Sequence, residues 1–331
     1  MSHQTIWTIW QRIEAVSFTV KLRKTMIVGL DIGGTKIEGV GLIQQANSPT
    51  YQTLVTYREP TNTSSYAAFL QSVLSVIEHV ATHGDVESIG IGCCGSIGND
   101  GLMQGANVTV LNGADFIGDL RRHIDVPVAI ANDADCLALS EFKDGAAIDA
   151  LHSCVAVIIG TGCGSGVIIN NGLVTGLNKL GGELGHNPLP NFNQSVDGQP
   201  VECYCGSMNC TESFVSGSGF GRTFSEKHFS ADSKQIMALV EQGNADAIAH
   251  LDLYCDQLAR TLATVINFID PEVIVLGGGM SNVDAIYPRV QQKINNYTFT
   301  KAATTKVVKN HHGDSSGVRG AAFLPLLQCR E

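Results

Sequence analysis

The hydrophobic positions of the chain fall into two similar blocks. From Met26 onward, IVGLDIGGTKIEGVGLI runs apolar, breaks at a polar glycine turn and resumes toward Val40 and Leu42, the pattern of a β-hairpin. Val155 to Val174, VAVIIGTGCGSGVIINNGLV, repeats it: apolar strand, Gly/Thr/Ser loop, apolar strand, then a turn expected at Asn171 and Gly172. The repetition predicts an internally duplicated chain. Between the hairpins, SYAAFLQSVLSVIEHVATHG has helical spacing up to Gly84, after which VESIGIGCCGSI returns to a strand and a glycine loop. VPVAIANDADCLALSEF predicts a strand, an N-cap at Asn132 and a helix. Ala245 to Ile269 predicts a long helix stopped by Asp270 and Pro271, followed by EVIVLGGGM, a buried strand opening onto three glycines. SSGVRGAAFLPLL predicts a closing helix. The Gly181 to Cys210 stretch, rich in Gly, Pro and Cys, is too irregular to form regular elements by periodicity, so it requires another stabiliser.

Composition narrows the class. With 331 residues, 44% hydrophobic and 16% charged, the chain is long enough for two packed α/β domains and unlike a disordered one. A formal net charge of -10 disfavours nucleic acid, whose phosphates call for a basic surface, and points to small-molecule substrates. No apolar run approaches the roughly 18 residues of a membrane-spanning helix, so no membrane partner is expected. The first 25 residues show neither the apolar core nor the small-residue cleavage site of a signal peptide and read as a dispensable extension. The expected compartment is therefore the cytoplasm, where clustered cysteines bind metal more often than they form disulfides.

Five constellations carry chemistry. In DIGGTK, Gly33 and Gly34 let backbone amides approach a phosphate, and Thr35 and Lys36 can donate hydrogen bonds. The turn joins strand to strand, unlike a Walker A loop. Alone it is more often only a turn, but the matching GTGCGSG at 160–166 changes the reading, because two facing loops can hold the phosphate chain of one nucleotide between two domains. LGGGM, Leu276 to Met280, offers bare backbone for a flat adenosine, or is simply a tight loop after a buried strand. In ANDAD, a carboxylate at the end of a buried strand and the first turn of a helix is held rigidly enough to receive the proton of an attacking hydroxyl, and Asp133 is the candidate base. Asp135, two residues on, is expected to face another side; both acids also suit a helix start. Finally, His186, Cys203, Cys205 and Cys210 supply three thiolates and an imidazole, a closed tetrahedral ligand set for a structural Zn²⁺ that would stabilise the aperiodic stretch. The alternatives are buried free thiols or a redox pair at Cys203 and Cys205. The second ring nitrogen of His186 can face a substrate pocket.

In this order the motifs resemble the ROK group of sugar kinases and repressors, within the superfamily of hexokinase, actin and the heat-shock chaperones. The resemblance runs from Met26 to Gln328 and rests most specifically on DIGGTK, IGTGCGSG, ELGH with CxCGxxxC, and CTESFVSG. More narrowly, GHNPLP, GGGMSNVD and HGDSSGVRGAA are similar to bacterial fructokinases of the group. The resemblance implies a two-domain actin-like ATPase fold of α/β class. Residues 26–131 would form a small domain closed by a C-terminal helix at about 315–331, and 132–314 a large domain with the zinc-binding loop. It implies an ATP- and Mg²⁺-dependent transfer to O6 of a hexose, with fructose ahead of glucose, mannose and the N-acetylhexosamines, and a homodimer as a common assembly. ATP phosphates would meet Gly29, Asp31, Gly33, Gly34, Thr35 and Lys36 on one side, with Asp31 near Mg²⁺. On the other side they would meet Gly160, Thr161, Gly162, Cys163, Gly164 and Gly166, with Gly277, Gly278 and Gly279 near the adenosine. Asn107, Asn132, Asp133, Glu183, His186 and Glu212 would line the sugar site.

Two positions depart from the group's pattern: Asn209 replaces a Gly of the cysteine motif, and Cys94 replaces a Pro. Asn is the residue that best tolerates a left-handed turn after Gly. The repressors of the group carry a helix-turn-helix ahead of the first strand, where this chain has about 25 residues, fewer than three helices need. A chain starting at Met26 is expected to fold and to keep its activity; an insoluble or inactive truncation would refute that.

Overall fold

The computed structural model describes residues 24–93, 95–98, 100–106 and 108–328. The N-terminal stretch, Cys94 and Asn107 lie outside the described residues. The first apolar block becomes β1 (Thr25–Ile32), β2 (Lys36–Gln44) and β3 (Tyr51–Pro60), paired antiparallel. Helix α1 (Tyr66–Ala81) then leads to β4 (Asp85–Cys93), which joins β1 in parallel. A short pair, β5 (Ser96–Ile97) and β6 (Met103–Gln104), and α2 (Phe116–Arg121) precede β7 (Val128–Ala131), parallel to β4. Helix α3 (Asp133–Asp144) ends this half.

The plan then recurs. Strands β8 (Ser153–Ile159), β9 (Cys163–Ile169) and β10 (Gly172–Leu173) are antiparallel, and α4 (Gln194–Asp197), α5 (Glu212–Val215), α6 (Gly217–Ser225), α7 (Ser233–Glu241) and α8 (Ala245–Ile269) follow. Strand β11 (Val273–Gly277), helix α9 (Ile286–Ile294), strand β12 (Lys306–Lys309) and helix α10 (Ser316–Gln328) complete the chain. The sheet orders, β3-β2-β1-β4-β7 and β10-β9-β8-β11-β12, are the same plan twice, as the hydrophobic pattern predicts.

Local chemistry sets the ends. Ser65 caps α1 by accepting from Ala68 N–H, and Phe69, Val73, Val76, Ile77 and Val80 form its buried stripe. Helix α8 starts at the Asn244 cap and stops where Asp270 turns left-handed (φ 51°) before Pro271, as expected. The turn between β9 and β10 is one residue earlier than predicted. It is built on Asn170 (φ 51°) and Asn171 (φ 64°), with Gly172 already paired to Ile169. Two asparagines meet the positive-φ demand of a two-residue hairpin turn, leaving the glycine free to enter the strand. At the N-terminal edge, β1 begins at Thr25, and the Lys24 carbonyl accepts from Asp85 N–H at 3.0 Å, so pairing starts just ahead of Met26.

The halves are joined by exchanged helices. Helix α3, which follows the last strand of the first sheet, packs on β8 and β9 of the second; α10, which follows the last strand of the second, packs on β1 and β4 of the first. The two helices also pack on each other. This crossing is possible only with hydrogen at three places. A Cβ at Gly90 would lie 1.6 Å from Ala321 O, one at Gly29 2.0 Å from Val318 O, and one at Gly320 1.6 Å from Cys136 O. Polar groups hold the other end of α3: buried Asp144 accepts from Arg319 and lies 3.0 Å from His312 Nε2, and buried Glu141 accepts from Ser316 Oγ at 2.8 Å. Among the described residues no helix is long and apolar enough to cross a membrane.

The crossing makes a direct prediction. Gly90→Ala should lose roughly 1–3 kcal/mol or more through overpacking, whereas Gly317→Ala, with open space around its Cβ position, should be neutral or gain a few tenths from helix propensity. Denaturant unfolding of both variants checks it, and a Gly90→Ala protein as stable as the parent would contradict the close approach.

Candidate active site

The first turn of α3 lies between the two hairpins. Its Ala134 carbonyl would be 2.3 Å from a Cβ at Gly166 of β9, so the glycines of that strand let the helix start settle onto it. On the other side, Asp31 near the end of β1 is close enough to feel Asp133. Burial first, then the Asp133 and Glu38 carboxylates, push the Asp31 carboxyl up to about 6. The helix start is fixed by its cap, Asn132 Oδ1 accepting from Asp135 N–H at 2.7 Å.

The first phosphate-type turn spans 33–35 and is closed by Gly33 N–H to Lys36 O at 2.9 Å. Thr61 pins it through Oγ1 to Gly33 O at 2.7 Å, and Gly34 faces open space. Lys36 Nζ rests 3.2 Å from Glu38 Oε2, and Arg58 Nε is 2.8 Å from the same oxygen. Glu38, almost fully buried, was not anticipated, although a lone acid inside an apolar strand two residues after Lys36 is a legible signal.

The second turn spans 160–162, with Gly160 N–H to Gly162 O at 3.0 Å and Gly217 N–H to Gly160 O at 2.7 Å. Glu212 braces its far side by accepting Cys163 N–H at 2.8 Å. Gly278 (φ 82°) nests against this turn, where a Cβ would be 2.8 Å from Gly160 N. Between the turn and helices α6 and α7 lies a cavity of 670 Å³, whose walls include Gly160, Thr161, Gly217, Arg222, Ser233 and Gly279. It is large enough for a nucleoside, and bare backbone at Gly279 opens onto it.

The expected nucleotide glycines thus divide into two sets. Gly33, Gly34, Thr35 and Lys36, with Gly160, Thr161, Gly162, Gly278 and Gly279, belong to the turns and the loop beside them. Gly29 sits in mid-strand under α10; Gly164 and Gly166 lie under the start of α3, and a Cβ at Gly277 would lie 2.6 Å from Leu137 Cδ2. Gly29, Gly166 and Gly277 make room for helices, and none of the four stands at a loop tip. Cys163 is likewise inward, its thiol buried and its N–H taken by Glu212.

Of the expected sugar residues, Asn132 lines a second cavity, of 250 Å³, walled by both halves: Ser96, Ile97 and Ile130 on one side, Thr175 and Lys179 on the other. Asp135 also lines it, although the sequence favoured Asp133. Glu183 is near enough to Asp135 to raise its carboxyl. Glu212 lies against the second turn, and Asn107 is outside the described residues. His186 turns Nδ1 toward Cys203 Sγ, 3.6 Å away, while Nε2 meets the hydroxyl of exposed Tyr204 at 2.9 Å. Tyr204 was not anticipated; it stands between two cysteines of the motif.

The aperiodic stretch gathers His186, Cys203, Cys205 and Cys210, with their ligand atoms all within 4.8 Å of one another. Cys205 Sγ lies 3.6 Å from Cys210 Sγ, and the His186 to Cys203 separation is the same. A zinc tetrahedron with bonds of about 2.0–2.3 Å has edges of roughly 3.3–3.8 Å, so the set is spaced to hold such an ion. Asn209 takes the left-handed conformation (φ 58°) that its position requires, and its side chain adds a bond that Gly would lack, Val201 N–H to Oδ1 at 2.9 Å.

Known proteins match over nearly the whole chain. An N-acetyl-D-glucosamine kinase of Salmonella dublin is 36% identical over 307 residues, covering 91% of this chain and 99% of its own. The same-named protein of Salmonella typhimurium is 35% identical over 309 residues, with the same coverage. Among solved structures, a ROK hexokinase from Thermus thermophilus superposes with a TM-score of 0.80 at 24% identity, over 92% of this chain and 98% of that one. A ROK family glucokinase from Streptomyces griseus, in complex with glucose and AMPPNP, gives 0.70 at 22%, over 90% and 98%. These structural likenesses show a shared fold, that of the actin-like ATPases. The family model described as ROK family matches residues 27–327, and the chain belongs to the ROK family.

Proposed function

We propose that this protein is an ATP-dependent sugar kinase acting on an N-acetylhexosamine, with N-acetyl-D-glucosamine the first candidate. The observation that carries the kinase reading is the start of α3: Asp133 at the helix's first position, between the two hairpins that carry the phosphate-type turns and next to Asn132 and Asp135, which line a cavity walled by both halves. The sugar is suggested by relatives of that name, which align over 99% of their length. Fructose is the second reading, favoured by GHNPLP, GGGMSNVD and HGDSSGVRGAA.

Phosphoryl transfer asks the protein mainly for positioning and charge. Amides of the turns at 33–35 and 160–162 cradle the phosphate chain, and Mg²⁺, when bound with ATP, offsets its charge. Asp31, crowded by two carboxylates, is suited to face that cation. Asp133 accepts the proton of the attacking hydroxyl, and Asn132 orients the sugar beside it. Glu212 stiffens the second turn from behind. Zn²⁺ held by His186, Cys203, Cys205 and Cys210 is a structural brace for the loop that carries Glu183, and no step passes through it.

Three outcomes follow. In a coupled ADP-release assay across N-acetylglucosamine, N-acetylmannosamine, glucose, mannose and fructose, kcat/KM should be highest for N-acetylglucosamine; a fructose value tenfold higher would transfer the assignment to the second reading. Asp133→Asn should lower kcat by about 10²–10⁴-fold while calorimetric sugar affinity changes little, and unaltered turnover would move the base elsewhere. Elemental analysis should find about one zinc per chain, lost in Cys210→Ser together with thermal stability; less than half an equivalent in undenatured protein would count against the site.

A further inference from the structure

The start of α3 carries a second acid that the reaction above does not use. Asp135 is only 5% exposed, and its Oδ1 has no hydrogen-bond partner among the described residues. Buried polar atoms are nearly always paired, so an orphan calls for a reason. The ordinary reasons fail. A capping box would return the carboxylate to the Asn132 N–H, but the cap runs one way only, from Asp135 N–H to Asn132 Oδ1. No ion pair holds Asp135 among the described residues. Favourable charge at the helix start is weak too, because burial, then Glu183 and Asp133, push this carboxyl up to about 7. What the side chain does border is the 250 Å³ cavity. Its walls mix apolar Ile97 and Ile130 with polar Ser96, Asn132, Thr175 and Lys179, the lining expected for a ligand with hydroxyls around an apolar ring face.

We infer that Asp135 is a sugar-binding residue whose Oδ1 hydrogen-bonds a hydroxyl of the substrate, fixing the ring while the neighbouring Asp133 addresses the reacting oxygen. This rests on the sugar-kinase reading. A hydroxyl both donates and accepts, so it satisfies Asp135 whether the carboxyl is ionised or protonated. The charged groups that face Asp135 are Asp133 on its own helix and Glu183 from the loop after β10, with Lys179 on the same cavity wall. A bound sugar that replaces water here shifts the proton occupancy of this group.

The test is Asp135→Ala, read by calorimetric sugar affinity, KM for ATP, and thermal midpoint. Sugar affinity should fall at least tenfold, with KM for ATP within twofold of the parent. A carboxyl raised in the folded state stabilises least above its folded pKa. The variant's midpoint relative to the parent should therefore be higher at pH 8 than at pH 4. A structural residue would behave oppositely, losing stability at both pH values with sugar affinity intact. Sugar affinity within twofold of the parent in the folded variant overturns the inference. If Asp135→Ala fails to fold, Asp135→Asn decides: sugar binding by the parent near pH 7, titrated in two buffers of different ionisation enthalpy, should exchange a fraction of a proton that this variant does not, and equal exchange overturns the assignment. A parent that binds no sugar at all instead sinks the kinase reading, a distinguishable result.

Discussion

Everything in this protein depends on how closely α3 and α10 cross. Each helix closes the core of the other half, so neither sheet has a complete partner layer within its own stretch of sequence. That approach is set by the hydrogen at Gly320, and those at Gly29 and Gly90 set how closely α10 lies on β1 and β4; at each place any side chain would strike a carbonyl. Packed interiors have little slack, so this contact fixes the two halves relative to one another at its own position. The buried cluster of Glu141, Asp144, Arg319 and His312 then ties α3 to α10 at a second point.

The crossing also explains the electrostatics of the site. By settling on β9 through Gly166, α3 delivers Asp133 and Asp135 into a region already holding Asp31, Glu38 and Glu183. Burial, then repulsion, raises Asp31 and Asp135, while Lys36 and Arg58 are committed to Glu38. Such a concentration of acid costs stability. It is the arrangement expected of a place that receives a cation with its nucleotide on one side and hydroxyls on the other.

Much of this was legible from residues alone. The duplicated hairpins, the Asn132 cap, the end of α8 at Asp270 and the left-handed turn at Asn209 follow from period and local stereochemistry. The cysteine and histidine spacing signalled a ligand set before its geometry was visible. Other features were not readable, for physical reasons. A glycine that lets backbone meet a phosphate and one that lets a helix meet a strand look the same in a sequence, so the residues alone do not separate Gly29, Gly166 and Gly277 from the glycines of the two turns. Helical spacing separates Asp133 from Asp135, but which face meets a cavity depends on the opposite half. Tyr204 reaches His186 only because an aperiodic loop folds back on itself, which no periodicity encodes.

The central claim is that the two hairpin turns serve one nucleotide, with the start of α3 between them. Hydrogen exchange read by mass spectrometry, with and without a non-hydrolysable ATP analogue plus sugar, tests it most directly. The account predicts that amides at 33–36 and at 160–162 slow together, and those of 131–135 with them. Protection at one turn alone, or at neither, would contradict it.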